Sequence, residues 1–138
     1  VLGEKTVLAI DPGSSKCGLA LVRRDENDRT HLVWHAIVPT EQVGEAVIKQ
    51  QTETHFTLIV VGNGTRSKHV VEHLRDALPS IGILVVDETG TTVQARERYW
   101  EHNPRRGIWK FIPATLQIPK EPIDDYAALV LAERVLST

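Results

Sequence analysis

Cysteine is nearly absent: Cys17 stands alone, so no internal disulfide can form. A chain of 138 residues does not need one, because at that length roughly two-thirds of the unfolded surface is buried on folding. A surplus of positive charge is also missing. Sixteen Lys and Arg against eighteen Asp and Glu leave a net charge of −2, so no global field draws in a polyanion, and any such attraction must come from a local cluster. There is no apolar run of about 18 residues to cross a bilayer and no evident N-terminal signal segment. Internal repeats and low-complexity tracts are lacking too. These absences exclude a disulfide scaffold, a membrane-spanning helix and a polybasic binder. They leave the expectation of one soluble, cytoplasmic domain over residues 1–138, with no membrane partner.

What is present is a series of short apolar runs. Thr6 to Ile10 are apolar at consecutive positions, the pattern of a central strand covered on both faces. Cys17 to Val22 form a second run, and a polar turn over residues 23–29 precedes a third over residues 30–38. Two hairpins and three antiparallel strands follow from that spacing. The period then changes to a helical one, with Thr40 as a cap and Val43, Ala46, Val47 and Ile48 on the apolar face. Residues 56–64 read as a strand closed by glycines, and Val70, Val71, Leu74 and Leu78 as one side of a helix that Pro79 ends. Residues 83–88 are an apolar run that terminates in carboxylates. Thr91 with Gln94 has capping-box spacing for a helix to about His102. Four prolines break residues 103–122, and residues 123–136 form a helix apolar round most of its circumference. The pattern β-β-β-α-β-α-β-α-α with right-handed crossovers predicts an α/β fold, a mixed five-stranded sheet in the order 3-2-1-4-5 with helices on both faces.

That topology brings three acidic sites to one end of the sheet. Asp11 ends the first strand, Asp87 and Glu88 end the fifth, and Asp124 with Asp125 opens the last helix. Taken singly, Asp11 before Pro12-Gly13 reads as a turn residue, and Asp124 as a favourable first-turn charge. Their convergence at the carboxyl ends of strands is what points to chemistry. A side chain from the fifth strand must reach across the tip of the fourth, Gly62-Asn63-Gly64, and Glu88 is one methylene longer than Asp87. Clustered carboxylates repel unless a cation sits among them. Hard oxygen donors select Mg²⁺ or Mn²⁺, and two ions about 3.5–4 Å apart can clamp a phosphodiester during in-line displacement.

The blocks "LAIDPGSSKCGLALV", "LIVVGNGT", "VVDETGTTVQARERY" and "IDDYAALVLAERVL", in that order over nearly the whole chain, resemble the YqgF family of RNase H-like proteins. That family is described as pre-16S rRNA processing nucleases and proposed Holliday junction resolvases. The resemblance implies an RNase H-like fold and a two-metal nuclease whose carboxylates map onto Asp11, Glu88 (or Asp87) and Asp124, with Asp125 as a further candidate. The chain departs from the family at Thr89, at Gly62-Asn63-Gly64 and at Lys16, where members commonly have arginine, Gly-Leu-Pro and arginine; these departures bear on substrate contacts.

Residues 96–110 carry Arg96, Arg98, Arg105, Arg106 and Lys110 against Glu97 and Glu101, with Tyr99, Trp100 and Trp109 interleaved. Guanidinium forks on phosphates and aromatic faces on bases suit single-stranded or distorted nucleic acid. The tryptophans read equally as core anchors, whereas Arg105 and Arg106 lie in a Pro/Gly loop. Ser14 and Lys16 in the first turn, and Thr65, Arg66 and Lys68 after the fourth strand, share the acidic end and suit a phosphate. His69 and His73 have ligand spacing but no evident third ligand, and Cys17 reads as a small core residue. The expectation is a metal-dependent endonuclease using Mg²⁺ or Mn²⁺. Its partner is RNA, an rRNA precursor first, or branched DNA, with Holliday junction resolution as the rival activity, and monomer and homodimer both open. A non-cleaving nucleic-acid-binding module is the alternative of another class, and a two-domain actin-like phosphotransferase is too long for this chain.

Overall fold

The computed structural model describes residues 3–64, 66–105, 107, 111, 113–114, 117, 119 and 121–137. In chain order the elements are β1 (Lys5–Asp11), β2 (Lys16–Arg24), β3 (Thr30–Pro39), a 3-10 turn (Thr40–Gln42), α1 (Val43–Glu53), β4 (Leu58–Gly62), α2 (Ser67–Ala77), β5 (Gly82–Val86), α3 (Thr91–His102) and α4 (Asp124–Leu136). The strands form one sheet in the order β3-β2-β1-β4-β5, as the sequence pattern predicts. β1 pairs antiparallel with β2 and β2 with β3, while β1–β4 and β4–β5 are parallel.

The consecutive apolar run of β1 exists because both faces of the sheet are covered. Val7 and Ala9 join one layer with Ala20, Val22, Val60, Ala95, Tyr99 and the apolar side of α4. Leu8 and Ile10 point the other way, to Leu19, Leu21, Ile59, Val61, Val43, Val47, Val70, Val71 and Leu74. So α1 and α2 cover one face, and α3 and α4 the other. Strand periodicity alone gives each layer alternate residues of the same run.

Three local expectations are corrected. Thr40 does not cap α1. Its hydroxyl donates to Gly13 O at 3.1 Å and its amide to Ser15 O at 3.0 Å, which ties the end of β3 to the turn after Asp11. Ile48 is off the apolar face of α1, exposed while Val43 and Val47 are buried, because it lies about 100° further round the helix than Val47. Thr91 and Gln94 form no capping box. Gly90, at φ +79°, is the cap residue, the Thr91 hydroxyl donates back to Glu88 O at 2.9 Å, and Gln94 Oε1 accepts from Arg134 at 2.7 Å.

Helix α4 is the central packing element of its layer, buried continuously from Asp125 to Ala132. It lies along β2 and is fixed by that strand at both ends. Beneath its first turn is Gly18: a Cβ there would overlap the Asp124 carbonyl and stand 2.5 Å from Asp125 N. At its last turn the buried Arg24 donates from Nη1 to Leu136 O at 2.5 Å and from Nε to Gly3 O at 2.6 Å, a cation at a helix C-terminus where the dipole favours it. Gly18→Ala must therefore displace backbone rather than a flexible side chain, and its loss in denaturant unfolding is expected to reach about 3 kcal/mol. Gly82→Ala, whose added Cβ finds Thr57 O at 3.5 Å, is expected to stay within about 0.5 kcal/mol of wild type; equal losses would show that α4 shifts freely on β2.

Candidate functional site

The antiparallel-then-parallel sheet sends the C-terminal ends of β1, β4 and β5 to the same side, and α4 begins there. Asp11, Glu88 and Asp124 line one cleft of about 200 Å³ together with Thr91, Thr92, Ala95, Ile123 and Ala127. Asp11 surfaces as the last residue of β1, paired across to Gly18. Glu88 lies two residues beyond β5 and reaches back over the tip of β4. A Cβ at Gly62 would meet Glu88 Oε2 at 2.6 Å, and one at Gly64 would meet Oε1 at 2.6 Å. The glycine tip is therefore the space that the glutamate occupies. Gly62 is additionally held by the Asn63 N–H, the next residue, donating to Val86 O at 2.9 Å.

Burial of Asp11, then the negative charges of Glu88 and Asp124, then a hydrogen bond with Glu88, push its carboxyl from the ordinary 3.8 up to about 7. Glu88 Oε2 is buried and has no hydrogen-bond partner among the described residues. Asp124 is relieved differently, by Lys16 Nζ at 3.5 Å from its Oδ2. Among the described residues no three His, Cys, Asp or Glu side chains stand close enough to enclose an ion as they are. The donor set nevertheless fits a hard divalent cation: all oxygen, mutually repelling, with one buried oxygen unpartnered.

The neighbouring acids fall outside the cleft. Asp87 is exposed and closes a turn on itself, its Oδ1 accepting from Thr89 N at 3.1 Å and Thr89 Oγ1 at 2.7 Å; these bonds, the hydroxyl's first, hold its carboxyl below the usual range. Asp125, expected as a further candidate ligand, does not line the cleft. One position along the helix turns its side chain to β3, where His35 Nδ1 donates to its Oδ2 at 2.6 Å, while its Oδ1 accepts from Tyr126 N at 3.0 Å. His35 also packs on the Tyr126 ring. Sequence reading missed His35 because a lone histidine on a strand carries no spacing signal.

Of the residues expected to meet nucleic acid, Ser14 and Lys16 are exposed in the turn after Asp11, and Arg66 and Lys68 are exposed at the start of α2, beyond the β4 tip. Thr65, Arg106 and Lys110, and likewise Trp109, lie outside the described residues. Arg96 is half-buried on α3. The aromatic-basic segment is partly structural. Arg98 pairs with Glu133 at 2.8 Å and with Glu97 and Glu101 at 3.2 Å. Trp100 packs against the core and donates to Gln117 O at 3.1 Å, with the Arg105 guanidinium 5.9 Å over its ring. His69 and His73 line a separate cleft of about 140 Å³ with Thr40, Glu41, Val43 and Val70, without a third ligand in reach among the described residues. Cys17 is buried, its thiol on Thr40 Oγ1 at 3.6 Å.

No protein-family model matches the chain, and no curated protein sequence matches it. Solved structures do. RuvC of Thermus thermophilus aligns at TM-score 0.59 with 12% identity over 95% of this chain and 93% of that one. The same organism's RuvC in complex with a Holliday junction substrate aligns at TM-score 0.56 with 15% identity, over 93% and 90%. At such identities the likeness is one of fold, and with the observed strand order it makes this an RNase H-like fold.

The raised Asp11 carboxyl has a consequence for stability. Between 3.8 and about 7 the folded protein holds a proton that the unfolded chain has lost, so in chelator the stability this group contributes is present at low pH and is lost as pH rises towards 7. Asp11→Asn removes that slope. Denaturant unfolding is expected to find the variant near wild type at pH 4 and more stable at pH 8, by on the order of 1–2 kcal/mol after solvent screening.

Proposed function

We propose that this chain is a divalent-metal-dependent endonuclease that hydrolyses phosphodiester bonds in branched or structured nucleic acid. The observation that carries the reading is the cleft itself: three carboxylates from β1, the β5 end and α4, one with a buried oxygen awaiting a cation. Asp11 and Glu88 would hold Mg²⁺ or Mn²⁺, and Asp124 would complete the set for a second ion. Bound there, such ions supply an activated water and stabilise the departing oxygen of the scissile phosphate.

The chain's own residues have distinct tasks in this reading. The glycine tip lets the Glu88 carboxylate lie flat over β4, close to Asp11, without a side chain between them. Lys16 neutralises Asp124 in the resting cleft and, on its flexible stem, is free to turn to a substrate phosphate. Arg66 and Lys68 at the same end of the sheet hold the strand beyond the cut. The walls formed by Thr91, Ala95, Ile123 and Ala127 limit water around the reacting groups.

The substrate reading favours branched DNA, because RuvC, whose fold this chain shares over nearly its full length, has been seen on a Holliday junction. An rRNA precursor is the second substrate, supported by the sequence blocks alone. A resolvase places two sites on opposed strands and so works as a two-fold dimer, whereas RNA processing is open to a monomer.

Cleavage of a four-way DNA junction, single-stranded RNA and an rRNA precursor, each with Mn²⁺, Mg²⁺ or chelator, tests the proposal. Metal-dependent cutting of at least one is expected. Glu88→Gln and Asp11→Asn should each lose activity by roughly 10²-fold or more, and Asp87→Asn, whose carboxylate is spent on Thr89, should lose less than about tenfold. Full activity in Asp11→Asn, or cutting that persists in chelator, would sink the site.

A further inference from the structure

Glu88 sits on a loop of four residues between β5 and α3, and one side chain from another element holds both neighbours of that glutamate. Arg134, in the last turn of α4, donates from Nη1 to Asp87 O at 3.2 Å and from Nη2 to Thr89 O at 2.7 Å. The same Nη2 donates to Gln94 Oε1 at 2.7 Å, on the first turns of α3. Arg134 is absent from the lining of the cleft, so it does not touch what the cleft would bind. We propose that Arg134 is a positioning residue for Glu88, an inference that rests on the metal-dependent reading above.

The loop's other bonds are to itself, to the tip of β4 and to the start of α3. Asp87 closes on Thr89, Glu88 N donates to Asn63 Oδ1 at a long 3.3 Å, and the Glu88 carbonyl accepts from Thr91 N at 3.2 Å and Thr91 Oγ1 at 2.9 Å. Gly90, at φ +79°, takes the left-handed conformation with which the loop enters α3. A planar guanidinium on the carbonyls at positions 87 and 89 fixes their separation, and hence the direction in which residue 88 leaves the backbone. Lysine offers one point charge on a flexible stem and cannot span the two. The helix that carries Arg134 also carries Asp124 at its first turn, ten residues earlier and roughly 15 Å along the axis. Two of the three cleft carboxylates are thus referenced to one buried helix, Asp124 directly and Glu88 through Arg134.

Two measurements on Arg134→Ala and Arg134→Lys test this: backbone hydrogen exchange over residues 88–94, and calorimetric titration with Mn²⁺ alone. Faster exchange confined to that stretch is expected in both variants. Mn²⁺ affinity should fall roughly tenfold, as on loss of an outer-shell partner of a metal ligand, and by a similar factor in the lysine variant, because the fork and not the charge is what holds the loop. Unchanged exchange over residues 88–94 overturns the inference whatever the metal does. Faster exchange with wild-type Mn²⁺ affinity also overturns it, since the brace would then be structural only, and so does full recovery by lysine. Should wild type itself bind no Mn²⁺, the metal-dependent reading falls and takes the inference with it, whereas Mn²⁺ binding by wild type with unchanged exchange or unchanged affinity in the variants overturns the inference alone.

Discussion

The approach of α4 to β2 at Gly18 is the contact from which the functional end of the molecule is built. Only hydrogen at that position lets the Asp124 carbonyl and the Asp125 amide rest directly on the strand. That seating has several consequences. It puts Asp124 beside Asp11, since Asp11 and Gly18 are register partners. It hands the next side chain, Asp125, to His35 on the edge strand β3. It also sets the far end of the helix, where Arg24 closes the last turn and Arg134 reaches the loop that bears Glu88. A helix raised by one methyl group at its start would change all of these together.

The cleft is electrostatically unfavourable as folded. Burial and two neighbouring negative charges act on Asp11 in the same direction, and the glycine tip that admits Glu88 contributes no packing of its own. Paired or solvated carboxylates would serve stability better, and the chain does pair the neighbours that are not in the cleft: Asp87 with Thr89, Asp125 with His35. In the cleft only Asp124 has a cation beside it, Lys16, and Glu88 Oε2 is buried without a partner among the described residues. Such concentration of unsatisfied charge is the usual mark of a site whose counter-ion comes from solution.

Positive charge is divided between two uses. Arg24 closes the end of α4, Arg98 ties α3 to α4 and Arg134 braces the loop after β5. Lys16, Arg66 and Lys68 remain exposed at the acidic end of the sheet. With a net charge of −2, these three cations stand beside carboxylates of the opposite sign.

The strand order, the two-layer cover and the gathering of acids at one end of the sheet, Asp11 with Asp87 or Glu88 and Asp124 or Asp125, were legible from residue order alone. Apolar period, turn chemistry and crossover handedness are local or topological rules, and they suffice to bring strand ends together. The caps at Thr40 and Thr91 differ from expectation because a hydroxyl can donate to a carbonyl as well as accept from a helix amide, and these donate, Thr40 to Gly13 O across the fold and Thr91 to Glu88 O three residues back. Choosing between adjacent acids needed the rotation of α4, which Gly18 and His35 determine jointly and no local pattern encodes. Arg134 was equally silent, since an arginine in a last helical turn reads as a complement to the dipole. Its role depends on which loop lies opposite, forty-five residues away in sequence from Thr89. Sequence by itself determined which groups stand at one end of the sheet. Only packing decided which way each side chain points, because orientation is set by partners distant in the chain.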